Sequence, residues 1–321
     1  MTAARRWAGR LLQVVLVGTA LVLAWHELTP HWDQFRIQTA AMEPCWWLVL
    51  SSGAAVLAAY ALLVHAWRTL VGGWGGAIPF WAAARVWSVG NLARFAPASA
   101  LVTTGAIGAL GRRAGVSPVA AGGSALLGTV INVGAGSLVL LVTGAGLVKG
   151  AFPGIPPAVT IAAAILGGSG LLGLPLWIRP ALRVVGRVVR RPIDIPQLPQ
   201  RALWTAVTLN VAAWFLYGLA FLLLARAFFP ASGGGWSEYT AVFTFGYLSG
   251  WLLILPPAGI GVREWALARA STTLGLLTPV QATIVIVTSR LLLTLLEILP
   301  GVAFLARGAL SRSSPSTDVP L

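Results

Sequence analysis

Cysteine, lysine and acidic residues are scarce in this chain: its 321 residues include one cysteine, Cys45, one lysine, Lys149, and eight Asp or Glu. A lone cysteine excludes an internal disulfide framework and a sulfur-rich metal site. His26, His31 and His65 fall at or near predicted helix ends without ligand spacing, so neither a metal nor any other cofactor is expected. Nothing matches the glycine-rich lysine loop of an ATP site, and no Asp-x-Asp pair offers a metal-dependent transferase centre. Charged residues make up only 9% of the chain, too few to coat a soluble globule.

What is present is apolar. Hydrophobic residues reach 57% and the mean hydropathy is +0.84, the composition of a polytopic membrane protein. The formal charge of +14 is almost entirely arginine. Basic excess can signal nucleic acid, but in a membrane chain positive loops orient the helices, so no nucleic-acid partner is expected. Arg179, Arg183, Arg187, Arg190 and Arg191 recur opposite Leu182, Val185, Val188 and Val189. That pattern is an amphipathic basic helix suited to an anionic membrane surface.

A crossing helix needs about 20 apolar residues at about 1.5 Å each. Six segments qualify: Leu11–Trp25, Trp46–Trp67, Val119–Val148, Ala158–Trp177, Ala202–Ala225 and Val280–Ala306. The first follows Arg5, Arg6 and Arg10 without a small-residue cleavage pattern and reads as an uncleaved span. Two further stretches, Pro79–Gly111 and Glu238–Leu277, each hold two short apolar limbs around a break, at Pro97 and at Pro256–Pro257. Such limbs reach about 21–26 Å, short of a core roughly 30 Å thick, so both read as re-entrant helical hairpins. The expected fold is therefore an all-α polytopic membrane protein of six full spans and two hairpins. It forms a single domain over 1–310, with a disordered cytoplasmic tail over 311–321. In this layout 15 of the 22 basic residues fall on one side, which makes that side, and both termini, cytoplasmic. Trp46, Trp47, Trp74, Trp81 and Trp236 sit near the expected interfaces and read as anchors.

The two halves echo each other. Pro97 precedes the SPVAA of Ser117–Ala121 by about as much as Pro257 precedes the TPVQA of Thr278–Ala282. Chance similarity in Ala/Val/Leu/Gly-rich sequence is the competing explanation. A genuine repeat, with inverted halves 1–150 and 155–310, would bring hairpins from opposite faces toward a midplane site.

Ionisable residues inside apolar stretches are the candidate site. Arg263 and Glu264 follow Gly259 and Gly261 and open the second limb of the later hairpin. A helix N-terminus suits an anion, and arginine adds bidentate recognition of phosphate or carboxylate. Glu264 would hold Arg263 or exchange a proton. Thr283, Arg290, Thr294 and Glu297 share a face of the last span, with Arg290 and Glu297 about 10.5 Å apart along the axis. Candidate cross-pairs are Glu264 with Arg290 and Arg263 with Glu297; an internal ion-pair lock is the alternative to substrate contact. The earlier hairpin offers Asn91 and Arg94 before Pro97. Asn132 and Asn210 lie within spans, where an interhelical hydrogen bond is the common role.

The segment Thr244–Phe304, with Gly259, Gly261, Arg263, Glu264 and Arg290 in a GxGxRE-plus-arginine pattern, resembles the lysylphosphatidylglycerol synthase transmembrane-region, or flippase-like, family. No segment resembles that family's soluble aminoacyl-transferase domain. The resemblance thus implies a non-enzymatic translocator of an anionic phospholipid or polyprenyl-linked glycolipid in the plasma membrane of a bacterium. Arg263, Glu264, Arg290, Glu297, Gly259, Gly261, Arg94 and Asn91 would contact the substrate. An accessory membrane subunit of a glycosyltransferase or lipid synthase is the second reading, and a membrane-embedded transferase the third.

Overall fold

The computed structural model describes residues 43–92, 99–145, 147, 170, 180, 198–252 and 261–310. Isolated residues apart, the expected spans Leu11–Trp25 and Ala158–Trp177, the basic helix at 179–191 and the C-terminal tail lie outside the described residues. Among the described residues there are eight helices and no strand: α1 (Trp46–Gly73), α2 (Phe80–Asn91), α3 (Ser99–Arg113), α4 (Pro118–Thr143), α5 (Gln200–Phe228), α6 (Trp236–Leu252), α7 (Val262–Thr273) and α8 (Pro279–Leu310). Of these, α1, α4, α5 and α8 are long and apolar enough to cross a membrane, which makes this a membrane-embedded helical protein. The other four have 12 to 17 residues, or about 18–26 Å at the helical rise.

Helices α1 and α5 run antiparallel along their length. The Cys45 N–H at the start of α1 donates to the Ala227 carbonyl at the end of α5 (2.9 Å), and Ser52 Oγ donates to the Ala220 carbonyl (2.7 Å). At the far end, a Cβ on Gly73 would lie 3.2 Å from Ala202 Cβ. The two asparagines inside these apolar helices find partners, as is common in lipid-embedded packing. Asn132 Nδ2 of α4 donates to Asn210 Oδ1 of α5 (2.9 Å), and Trp214 Nε1 donates to the Asn132 carbonyl (2.9 Å).

The short helices form two hairpins, α2–α3 and α6–α7, and each returns to the level at which it began. Gly76, before α2, packs on Val116, just after α3, with 3.2 Å between a Cβ there and Val116 Cγ1. Before α6, the Gly233 N–H donates to the Leu276 carbonyl, just after α7 (3.2 Å).

The turns that end the hairpins are closed alike. Ala114, Gly115 and Val116 donate their N–H groups to the carbonyls of Leu110, Arg112 and Gly111; Leu274, Gly275 and Leu276 donate theirs to Ala270, Thr272 and Ser271. The spacing between the two sets is 160 residues throughout. Gly115 and Gly275 both adopt the left-handed conformation, φ +84° and +66°, which a residue with a Cβ rarely adopts. Arg68 Nε donates to the Ile78 carbonyl ahead of α2 (2.8 Å), and Arg226 Nη2 donates to the Gly234 carbonyl ahead of α6 (3.2 Å). Exchanging α1–α4 with α5–α8 maps every substantial helix–helix packing onto another: α4 packs on α6 as α8 packs on α2, and α1 faces its own counterpart, α5.

The main core lies between α1, α4, α5, α6, α7 and α8, around Trp214, Phe221, Tyr239 and Phe243. Trp46, Trp47, Trp81 and Trp236 are exposed, in keeping with anchoring. Trp74 differs: its ring fills the space above Gly123, so it is a packing residue rather than a surface anchor.

Candidate functional site

Helix α7 begins at a forced turn. Gly261 has φ +91°, and its N–H, an orphan donor of the first turn, is accepted by Glu264 Oε2 at 2.7 Å. This cap fixes the direction of the next side chain. Arg263 is 8% exposed, and its guanidinium lies 5.3 Å from the Phe243 ring centroid and 5.1 Å from that of Tyr247, both on α6. Two aromatic faces stabilise a buried cation through their ring quadrupoles but leave its N–H donors free. No ion pair or hydrogen bond of this guanidinium occurs among the described residues.

Around Arg263 stand the other charges. Glu264 Oε1 is 3.6 Å from Arg290 Nη1 on α8, and these side chains are 29% and 27% exposed, so they form the rim above a buried Arg263. Glu297, two turns beyond Arg290, accepts a hydrogen bond from the Tyr60 hydroxyl of α1 (3.0 Å). Among the described groups, Arg290, Tyr247, Glu264 and Glu297 exert fields on Arg263. Of the two cross-pairs read from the sequence, the structure forms Glu264 with Arg290. Glu297 lies within electrostatic reach of Arg263 and accepts a hydrogen bond from Tyr60.

Asn91 is not brought into this cluster by any described contact; its Nδ2 donates to the Trp87 carbonyl of its own helix (3.0 Å). Gly259 and Arg94 lie outside the described residues. The register of 160 or 161 residues between the hairpin turns and the starts of α4 and α8 shows what the other half offers instead. Thr103 and Thr104 stand where α7 has Arg263 and Glu264; Thr129 stands for Arg290 and Gly136 for Glu297. Among the described residues, the charges of this cluster are confined to one half.

The aromatic frame was not singled out from the sequence. Phe243 and Tyr247 sit four residues apart on α6, one helical face, and Tyr217 stacks on Phe243 at 5.4 Å. Tyr217 also meets Tyr60 edge-on at 6.0 Å, linking Glu297 to Arg263 through a run of rings. A signal existed: all four tyrosines of the chain, Tyr60, Tyr217, Tyr239 and Tyr247, fall inside apolar helices, where a hydroxyl needs a reason.

Chemically, the site offers a buried guanidinium, the first-turn N–H groups of α7 and a second arginine at the rim, all donors suited to a phosphate or carboxylate. Beside the rim lie the exposed apolar side chains Trp265 (61%), Leu291 (67%) and Leu295 (53%). Among the described residues no cluster of histidine, cysteine or carboxylate groups could hold a metal ion. The chain matches no family model and no curated protein.

Proposed function

We propose that this protein moves an anionic lipid, or a sugar carried on a lipid, between the leaflets of a bacterial plasma membrane without chemical conversion. The observation that carries this reading is Arg263: a buried, aromatic-framed cation with no ion pair or hydrogen bond among the described residues, under a rim bordered by exposed apolar side chains. A soluble solute has no use for a polar site that opens beside lipid. A lipid can enter there with its head group on the arginines and its tails left in the bilayer. The resemblance to flippase-like proteins points the same way.

In this reading the chain has six full spans, two hairpins that enter from opposite faces, and cytoplasmic termini. The halves are inverted repeats, which the antiparallel α1–α5 pair and the duplicated turns support. Direction would come from a gradient, from metabolic pull, or from a glycosyltransferase or synthase partner that consumes the product.

Leaflet exchange of fluorescent phosphatidylglycerol in proteoliposomes tests it. The wild type is expected to exceed Arg263→Ala about 10- to 100-fold, the effect of losing charge-assisted hydrogen bonds. Equal rates for wild type, variant and empty vesicles would reject translocation.

A further inference from the structure

The first hairpin is entered past a cavity of about 400 Å³, lined by Arg68, Thr69 and Gly72 of α1 and by Gly76, Ile78 and Pro79 ahead of α2. Sites for small organic ligands occupy about 300–1,000 Å³, so the space suits a head group better than a bare ion. Gly72 and Pro79 are exposed, and the cavity opens to the surface between them. Two residues beyond Pro79, Trp81 is 74% exposed. An exposed tryptophan at the end of a membrane helix marks the level of the lipid head groups.

Arg68 is the charged group of this cavity. Its Nε donates to the Ile78 carbonyl (2.8 Å), which ties the guanidinium to the wall. One of its five N–H donors is used in this way, and no other hydrogen bond or ion pair of Arg68 occurs among the described residues. The edge formed by Nη1 and Nη2 is the two-pronged fork that fits a phosphate or carboxylate. The Thr69 hydroxyl is committed to the His65 carbonyl (2.8 Å), so recognition falls to Arg68.

The second half offers an internal comparison. Arg226 Nη2 donates to the Gly234 carbonyl ahead of α6 (3.2 Å), as Arg68 donates to Ile78 ahead of α2. There the chain supplies its own anion: Glu238 Oε2 accepts from the Gly235 N–H (3.0 Å), one peptide on from the carbonyl that Arg226 holds. Aligned on Phe80 and Trp236, the first residues of α2 and α6, Ala82 stands for Glu238 and Pro79 for Gly235. The first turn of α2 contains no acid. One arginine-held loop thus carries a carboxylate, and the other carries a cavity. Arg112 and Arg113, exposed at the end of α3, add further positive charge where the second half has Thr272 and Thr273. Orientation by positive loops accounts for those two, but not for an arginine tied to the wall of a cavity.

We propose that the Arg68 cavity binds a phosphate group at the membrane surface, that of an anionic lipid head group or of a free phosphate. The bound phosphate takes the place of the carboxylate that the second half supplies for itself. This site lies on α1 and the first hairpin, apart from Arg263 on the second, and stands independently of the reading of Arg263.

Calorimetric titration of the purified full chain with short-chain phosphatidylglycerol, and separately with inorganic phosphate, measures the binding. In the Arg263→Ala chain a saturable site is expected to remain. Adding Arg68→Ala is expected to weaken it about 10- to 100-fold, the effect of losing charge-assisted hydrogen bonds. Because Arg68→Ala also removes the hydrogen bond to Ile78, Ala82→Glu serves as a second variant that keeps it. Ala82→Glu gives α2 the acid of α6, and its carboxylate is expected to compete for Arg68 and weaken binding about tenfold. Binding of phosphatidylglycerol alone assigns the site to a head group, and binding of both probes assigns it to phosphate from either source; both results uphold the proposal. Binding undiminished by Arg68→Ala and by Ala82→Glu, or no saturable binding of either probe, would overturn it. Binding that Arg263→Ala abolishes and Arg68→Ala leaves intact would also overturn it, while upholding Arg263 as an anion site.

Discussion

Arg263 is held by geometry that an ammonium cannot copy. Its guanidinium lies over the Phe243 and Tyr247 rings, 5.3 and 5.1 Å from their centroids, and a planar guanidinium can stack on aromatic faces while keeping N–H donors for a ligand. Lysine keeps the charge but is compact, strongly hydrated and unable to present a bidentate fork. Arg263→Lys is therefore expected to lower leaflet exchange by about tenfold or more and to cost roughly 1–2 kcal/mol of stability, from weaker cation–π contact in a desolvated setting. Exchange assays and thermal unfolding in detergent measure the two effects. Full activity in the lysine variant would show that charge alone suffices and that the aromatic frame is mere packing. Arg263, Glu264 and Arg290 could be picked out from the sequence because charge in an apolar run is conspicuous. Phe243 could not, because an aromatic residue in a span is ordinarily core, and the hydroxyls of Tyr60 and Tyr247 were a signal that did not name their partners, which come from other helices.

Each hairpin is closed by a glycine on its first limb under an aliphatic side chain on its second. In α2–α3, a Cβ on Gly90 would lie 2.5 Å from Ile107 Cγ1 and 3.5 Å from Ile107 Cα. In α6–α7, a Cβ on Gly246 would press into Leu267 and stand 3.3 Å from the Arg263 carbonyl. Valine at either position must wedge its hairpin open, and overpacking of this kind costs roughly 1–3 kcal/mol. Gly90→Val and Gly246→Val are thus both expected to lower the thermal midpoint. Only Gly246→Val also displaces the helix that carries Arg263, so its exchange rate is expected to fall further than its stability loss explains. Equal exchange per folded molecule in the two variants would detach the α6–α7 hairpin from the transport route. Proline and glycine separated the short limbs in the sequence, at breaks that lie outside the described residues, and limb lengths followed from hydropathy. The closing glycines gave no such notice: in a chain with 37 glycines, Gly90 and Gly246 stand out only once the opposing limb is in place.

Across the whole molecule, the SPVAA and TPVQA segments each open a long helix directly after a turn closed by the same pattern of backbone hydrogen bonds. The 160-residue spacing emerges from backbone donors, not from side-chain identity. It carries a consequence for sidedness. The turn after α3 packs against the turn after α1, through Val116 and Gly76, and so lies at the C-terminal end of α1. The turn after α7 packs against the turn after α5, through Leu276 and Gly233, and so lies at the C-terminal end of α5. Since α1 and α5 are antiparallel, these turns are at opposite ends of the molecule. Ser117 and Thr278, the capping residues at the starts of α4 and α8, mark those ends and are both exposed. With the exposed Cys45 replaced by serine, Ser117→Cys and Thr278→Cys are expected to react with a membrane-impermeant maleimide from opposite sides of sealed vesicles. Each loses a cap worth roughly 1 kcal/mol, too little to reorient a membrane helix bundle. Labelling from the same side would mean that the hairpins enter from one face, and a site reached alternately from two leaflets would lose its architecture.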